Sequence, residues 1–104
     1  MSTIPMRLIA TAQDDGTLLV KALIRHPNHN GFGRDAEGQP IPAHHLTEVV
    51  VAVNGEPVVT LYSGSGLAAD PLLGWHISGR AGDRISVTWR DNQKNEGQAE
   101  TQAR

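Results

Sequence analysis

TEVVVAVNGEPVVTLY, residues 47–62, decides the fold of this chain. Its first seven residues are mostly β-branched, which is typical of a central strand. The dipeptide Asn54-Gly55 then gives the strongest hairpin-turn signal in the chain. Pro57 is tolerated where a strand begins, and residues 58–62 return as the paired strand. The stretch therefore predicts a β-hairpin.

The rest of the chain shows the same kind of alternation. Residues 84–90 give the clearest pattern, with Ile85, Val87 and Trp89 on one face and polar residues on the other. Turn signals recur about every ten residues, and no segment has the period of an amphipathic helix. Further strands are predicted at residues 7–12, 18–25, 72–78 and 97–101.

These features predict an all-β protein, an immunoglobulin-like antiparallel β-sandwich of six or seven strands. The length of 104 residues suits a single domain, residues 1–104, with one hydrophobic core. We expect residues 1–5 and 102–104 to be frayed.

One long loop is expected at residues 26–46. Its sequence, HPNHNGFGRDAEGQPIPAHHL, contains three glycines and three prolines. Neither a helix nor a paired strand is therefore expected to run through it. Connections usually have about four to six residues, and much longer ones are more often functional or bound to a partner than idle.

Composition and charge exclude several classes of function. The net charge is −2 and the charges are scattered, so the chain lacks the positive surface that nucleic acids and anionic lipids require. No apolar run approaches the roughly 18 residues of a membrane span, and the first five residues do not resemble a secretory signal. The chain contains no cysteine, which excludes a disulfide framework and a thiolate site of its own.

The histidines raise the question of a metal site. Of the five, His26 and His29 lie at one end of the long loop and His44 and His45 at the other. A firm metal site needs three or four convergent ligands on a rigid frame, and the sequence places no carboxylate to complete such a set. We expect no metal and no cofactor, with His26 hydrogen-bonded at a strand end and the other histidines solvated.

The acidic and hydroxyl residues give no catalytic group. Asp91 precedes Asn92 and is expected in a turn, as are the other aspartates. Residues 63–66, S-G-S-G, lack the strand-turn-helix context of a nucleophile or phosphate loop. We therefore expect no catalytic residue, although a small metal-binding enzyme and a generic immunoglobulin-like accessory domain stay open as alternatives.

The predicted strand at residues 18–25 is unusually apolar. Its even-numbered residues form one continuous apolar face, whereas the other face combines Leu19 and Leu23 with charged residues. A strand of this kind indicates a sheet whose outer face is partly covered, by a loop of the same chain or by a partner.

Many modest sequence features occur along the chain in a fixed order: K-A-L-I-R-H-P at 21–27, Gly31, Asp35, Gly38, P-I-P at 40–42 and the run 49–55. The order and spacing of these residues resemble those of the SoxZ family. The resemblance extends from about Val20 to the end of the chain and does not depend on any single motif. His29, His44 and His45 fall where the family pattern differs.

The resemblance implies an immunoglobulin-like sandwich that is the non-catalytic scaffold subunit of a heterodimeric sulfur carrier. Its partner would be a SoxY-like subunit, whose carboxy-terminal-arm cysteine carries covalent sulfur intermediates of thiosulfate oxidation between Sox enzymes. Those enzymes would dock transiently. A chain without cysteine fits this role, because a second thiol would divert a persulfide by exchange. The expected location is the periplasm, reached by co-export with the partner because the chain shows no signal peptide.

The residues expected to contact the partner are apolar positions that the core does not need, together with a histidine and residues on the long loop. Phe32, the only phenylalanine, is expected either to anchor the partner or to fold back onto its own sandwich. The candidate partner-binding residues are Leu19, Leu23, His26, Phe32, Ile41, Val50 and Ala52.

Overall fold

The computed structural model describes residues 6–64 and 66–104. Within them the protein is all-β, as predicted, and provides no helix that is long and apolar enough to span a membrane. Each predicted strand is present to within two residues at either end. The strands are β1 Met6–Ala12, β2 Thr17–Ile24, β3 Leu46–Val53, β4 Glu56–Tyr62, β5 Leu72–Ser78, β6 Arg84–Asp91 and β7 Glu96–Gln102.

The seven strands form two antiparallel sheets that pack face to face. One sheet has the order β1-β2-β5 and the other the order β4-β3-β6-β7. The predicted hairpin joins β3 to β4, and both Asn54 and Gly55 have positive φ, at 51° and 86°, as a tight hairpin turn requires. The architecture is therefore the immunoglobulin-like sandwich that the alternation indicates.

The core lies between the two sheets and consists of alternate residues from both. In β2 every even-numbered residue is fully buried, while the odd-numbered residues stay partly or fully exposed. Burial of each large aliphatic side chain contributes about 1.5–3 kcal/mol to stability. The fully buried residues are Leu18, Val20, Ala22, Ile24, Leu46, Val49, Val51, Ile85 and Val87, with Trp89 only 2% exposed.

Trp89 fits into the core because the residue opposite it is a glycine. Trp89 pairs with Gly97 across β6 and β7. A Cβ atom at Gly97 would lie 2.6 Å from Trp89 Cε2, closer than two carbon atoms can approach without displacement. Gly97 is therefore required by the size of the indole rather than by its backbone conformation.

The carboxy-terminal residues 102–104, for which we expect fraying, pack against the sandwich. Gln102 belongs to β7, and Ala103 is buried at 4% exposure. The Ala103 amide donates to Asp83 O at 2.8 Å, and the Arg104 amide donates to Ala10 O at 3.1 Å. The Ala103 bond ties the end of β7 to the segment before β6, and the Arg104 bond ties it to β1. The other residues expected to be frayed, 1–5, lie outside the described residues.

The predicted long loop folds back on itself as a narrow arm, residues 29–44, whose two halves are joined by isolated β-bridges. His29 and His44 exchange backbone hydrogen bonds of 2.7 and 2.8 Å, and Arg34 bridges to Pro40 further out. At the tip, Asp35 Oδ1 accepts the Glu37 and Gln39 amides, each at 2.9 Å. Within the described residues, no helix or strand runs through the connection, as its glycines and prolines predict, and isolated bridges join its two halves.

Candidate functional site

A buried cluster of two histidines and a carboxylate lies at the base of the arm. His26 follows β2, His44 lies at the returning end of the arm, and Asp91 ends β6. His26 Nε2 lies 3.0 Å from Asp91 Oδ2, and His44 Nε2 lies 2.8 Å from the same oxygen. The His26 ring also packs edge-on against Trp89, with 5.4 Å between the ring centroids. We call His26, His44 and Asp91 the clamp, because they join the arm to the sandwich.

The Asp91 carboxylate is fully buried and accepts five hydrogen bonds. Oδ2 accepts from both clamp histidines and from Asn95 Nδ2 at 3.1 Å, while Oδ1 accepts the Gln93 and Asn95 amides at 2.9 and 2.8 Å. Burial opposes ionisation, but the hydrogen bonds outweigh it and hold the pKa of Asp91 well below its ordinary value. The clamp therefore contains a buried negative charge that is compensated by donors.

The hydrogen bonds of His26 fix its tautomer. Its Nδ1 accepts the Asn28 amide at 3.1 Å, so Nδ1 carries no proton and the ring proton is on Nε2. Nε2 consequently donates to Asp91. The prediction that His26 hydrogen-bonds at a strand end is confirmed, whereas the predictions that His44 is solvated and that no carboxylate accompanies the histidines are wrong.

The distances within the clamp would suit a metal, but the hydrogen bonds would not. The three candidate ligand atoms all lie within 4.8 Å of one another. A neutral histidine that binds a metal through Nε2 keeps its proton on Nδ1, and in His26 that proton would point at the Asn28 amide. The geometry favours a structural clamp over a metal centre.

Asn28 ties the base of the arm to two other segments. Its Oδ1 accepts the Leu46 amide at 3.0 Å, and its Nδ2 donates to Ala68 O at 2.9 Å. The residue is 7% exposed and has a φ of 48°, a conformation that asparagine tolerates better than most residues. The arm therefore leaves the sandwich from a base that is buried and fully hydrogen-bonded.

The clamp does not resemble a nucleophilic catalytic site. In residues 6–64 and 66–104, the side-chain hydrogen bonds of His26 and His44 go to Asp91 and to the Asn28 amide, and none goes to a hydroxyl group. The remaining histidines are separate from the clamp: His29 and His76 are exposed, and His45 Nδ1 lies 3.1 Å from Leu46 O.

The structure divides the candidate partner-binding residues between opposite sides of the molecule. Leu19 and Leu23 are half-buried on the outer face of β1-β2-β5, whereas Val50 and Ala52 are half-buried on the outer face of β4-β3-β6-β7. The sandwich core separates the two pairs. A single flat interface cannot cover both.

The remaining candidates lie on or below the arm. Phe32 is 87% exposed, so it does not fold back onto its own sandwich. Ile41 is half-buried, and its amide donates to Gly33 O at 2.9 Å within the arm. His26 is 1% exposed, so its side chain is too deeply buried to contact a partner. Its role is in the clamp.

Four large exposed apolar residues were not among the candidates. Ile9 is 59% exposed, Val58 is 51% exposed, Leu72 is 67% exposed and Tyr62 is 77% exposed. The sequence contains a signal for Leu72, because Leu73, Trp75 and Ile77 share the core face of β5 and Leu72 must therefore point outward. Ile9 follows from the same argument, since it alternates with the buried Ala10 in β1.

The comparison with known families agrees with the fold and with the resemblance. The family described as "Sulphur oxidation protein SoxZ" matches residues 6–102, which is nearly the whole chain. No curated protein matches the chain. The match begins at the first residue of β1 and ends at the last residue of β7, so it includes both sheets, the arm and all three clamp residues. The chain belongs to the SoxZ family of sulphur oxidation proteins.

Proposed function

We propose that this chain is the non-catalytic scaffold subunit of a heterodimeric sulfur carrier. It holds a SoxY-like partner, and the cysteine on the carboxy-terminal arm of that partner carries the covalent sulfur intermediates of thiosulfate oxidation between enzymes. The observation that carries the proposal is the SoxZ family match over residues 6–102.

The amino-acid composition supports the proposed roles of the two subunits, a scaffold without a thiol and a partner that bears the thiol. Covalent attachment of sulfur intermediates requires a thiolate, and this chain contains no cysteine. Under the proposal, the thiol belongs to the partner chain. A subunit without thiols also leaves a bound persulfide intact, because no second thiolate is present to attack it.

The arm supports a role in recognition. An isolated two-stranded ribbon is at best marginally stable in water, yet here the clamp and Asn28 fix the base and leave residues 29–40 exposed. Phe32 presents its ring on this arm at 87% exposure. An aromatic side chain held out from the body is a typical anchor for a protein interface.

The proposed place of work is the periplasm, where the chain arrives together with its partner. The test is cell fractionation of the native host, with and without the gene for the SoxY-like subunit. Loss of the chain from the periplasm in the strain that lacks the partner would support co-export. An unchanged periplasmic level would contradict it.

The carrier function is tested by tagging the chain in its native host, purifying it and measuring intact masses. We expect a one-to-one complex with a subunit that ends in a cysteine-bearing arm. That subunit should carry added sulfur masses that disappear on treatment with dithiothreitol. A monomer, or a chain that retains a bound metal, would contradict the carrier proposal and favour a metal-binding alternative.

A further inference from the structure

The outer face of β1-β2-β5 combines exposed apolar side chains with positive charge. Its apolar members are Leu19 and Leu23 from β2, Ile9 from β1 and Leu72 from β5. Its charged members are Arg7 and Lys21. We call these six residues the basic apolar face.

The strand register makes this face contiguous. Arg7, Leu23 and Leu72 lie in one row across the three strands, and Ile9 and Lys21 lie in the next row. Neighbours in such rows have Cβ atoms about 5 Å apart. Lys21 faces Gly74 on β5, so no side chain covers it from that direction.

The charges on this face lack carboxylate partners. β1, β2 and β5 contain no acidic residue, and among the described residues neither Arg7 nor Lys21 forms a salt bridge. The nearby acidic groups are engaged in the connecting segments: Asp15 Oδ1 accepts from Thr17, and Asp70 Oδ1 accepts the His26 amide at 2.9 Å. Within the described part of the chain, Arg7 and Lys21 are therefore positive charges without an ion-pair partner on an apolar surface.

The outer face of the other sheet is different in kind. Both arginines of this face are paired, Arg84 with Glu100 at 3.6 Å and Arg90 with Glu96 at 3.7 Å. These pairs are well exposed, and exposed ion pairs of this type contribute little energy. With Glu48 also on this face, opposite Arg90, the carboxylates there outnumber the arginines, so among the described residues the face offers no unpaired positive charge to a carboxylate-bearing partner.

We propose that the basic apolar face is the surface that holds the partner subunit, and that the partner meets it with an apolar patch bearing carboxylates. This inference rests on the proposed carrier function. The partner must differ from this chain, because two copies stacked through this face would bring Arg7 and Lys21 together without a carboxylate to neutralise them. Leu19, Leu23 and Leu72 supply the apolar contact, and the two cations select the partner.

The test uses the complex purified from the native host and a carbodiimide, which couples lysine amines directly to adjacent carboxylates. The chain has two lysines, Lys21 on the basic apolar face and Lys94 in the β6–β7 turn. We expect a cross-link from Lys21 to an aspartate or glutamate of the partner, located by peptide mass spectrometry. Lys21→Arg should abolish this cross-link while leaving the complex intact. A cross-link from Lys94 alone would overturn the proposal.

Affinity measurements give a second readout on the same complex. We expect Leu23→Asp, and the charge reversal of Arg7 and Lys21 to glutamate, each to raise Kd at least about tenfold. The proposal removes Val50 and Ala52 from the candidate partner contacts, so the matched controls on the other face, Val50→Asp and Arg90→Glu, should change Kd less than about twofold. Circular dichroism melting verifies that each variant is folded. If the control substitutions weaken partner binding and the first set does not, the partner lies on the opposite face. That outcome would overturn this inference but would not contradict the proposed carrier function.

Two further outcomes separate the inference from the proposed function. If the native chain has no partner at all, the carrier function itself fails. If the isolated chain forms a homodimer that Leu23→Asp dissociates, the basic apolar face binds a second copy, and the proposal of a carboxylate-bearing partner is wrong.

Discussion

His44 lies 2.8 Å from Asp91, and this bond between Nε2 and Oδ2 joins the returning half of the arm to the end of β6. The two residues are 47 positions apart in the chain. Because Asp91 is also bonded to His26, both ends of the arm meet at one buried oxygen. The direction in which the arm leaves the sandwich therefore depends on a carboxylate that belongs to neither of its halves.

Asp91→Asn should destabilise the protein by about 3 kcal/mol or more. The amide nitrogen of asparagine is a donor, and it would face donors that a carboxylate oxygen now accepts. The substitution would also remove the negative charge from a buried charged network. Denaturant unfolding at neutral pH measures the change. Asp35→Asn is the matched control at the exposed tip of the arm and should cost less than about 1 kcal/mol. Equal stability of the two variants would show that the clamp is not a major stabilising element.

The low pKa of Asp91 predicts an acid-dependent loss of stability. In the unfolded chain this carboxyl regains its ordinary value of 3.8, whereas in the folded protein it stays ionised at lower pH. The contribution of Asp91 to the free energy of unfolding is therefore present above its pKa in the unfolded chain. It is lost as the pH falls toward the lower pKa in the folded protein. Thermal melts between pH 6 and pH 2, values that bracket the carboxyl titration range, measure this loss. As the pH falls, the melting temperature of Asp91→Asn should decline less steeply than that of the native chain. Parallel curves would contradict the assignment.

His44→Ala should loosen the arm more than it destabilises the sandwich. It removes one donor to Asp91 and exposes the base of the arm, at a cost of about 1–2 kcal/mol. We expect amide exchange at residues 29–44 to accelerate about tenfold by local opening, with β3 and β6 unchanged. His29→Ala is the control, because the His29 ring is exposed and takes no part in the clamp. Similar exchange in both variants would exclude His44 as an anchor.

Gly97→Ala should destabilise the protein by about 1–3 kcal/mol, because the added methyl group would overlap the Trp89 indole. Gly64→Ala is the control, since a Cβ at that position meets no other atom within 4 Å. Denaturant unfolding of both variants, followed by tryptophan fluorescence, gives the comparison. If Gly97→Ala is tolerated as well as Gly64→Ala, the close packing of Trp89 on β7 is wrong.

Phe32→Ala should leave stability unchanged within about 0.5 kcal/mol, since the ring is almost fully exposed. Under the proposed function it should weaken partner binding at least about tenfold, as expected for an aromatic anchor. Tyr62→Ala is the control, because that ring is also exposed but lies at the end of β4. Titration calorimetry with the purified partner measures both affinities. Equal affinities would remove Phe32 from the interface.

Local sequence patterns were sufficient to predict the strands. Alternation in residues 84–90 gives β6 and its inward face, and Asn54-Gly55 gives the β3–β4 turn, because both signals depend on residues that are close together in the chain. The same patterns assign a residue to the inner or outer face of its own sheet, but they do not say which sheet a strand joins. Leu19 and Val50 were therefore grouped although they lie on opposite sides.

The clamp could not be predicted in the same way, because Asp91 performs two roles with its two oxygens. Oδ1 caps the β6–β7 turn by accepting the Gln93 and Asn95 amides, which is the role that the local sequence indicates. Oδ2 accepts from His26 and His44, residues 65 and 47 positions away. Local sequence reveals the first role, and only the packing of the two sheets reveals the second.

The alternation within β2 has a consequence for how this protein can change over evolution. Leu18, Val20, Ala22 and Ile24 are fully buried, whereas the intervening residues point away from the core. If the basic apolar face holds the partner as proposed, substitutions at odd-numbered positions act mainly on recognition, whereas substitutions at even-numbered positions act mainly on the folding free energy. Under that proposal, related chains exchange specificity through one set of positions in this strand without changes to the core.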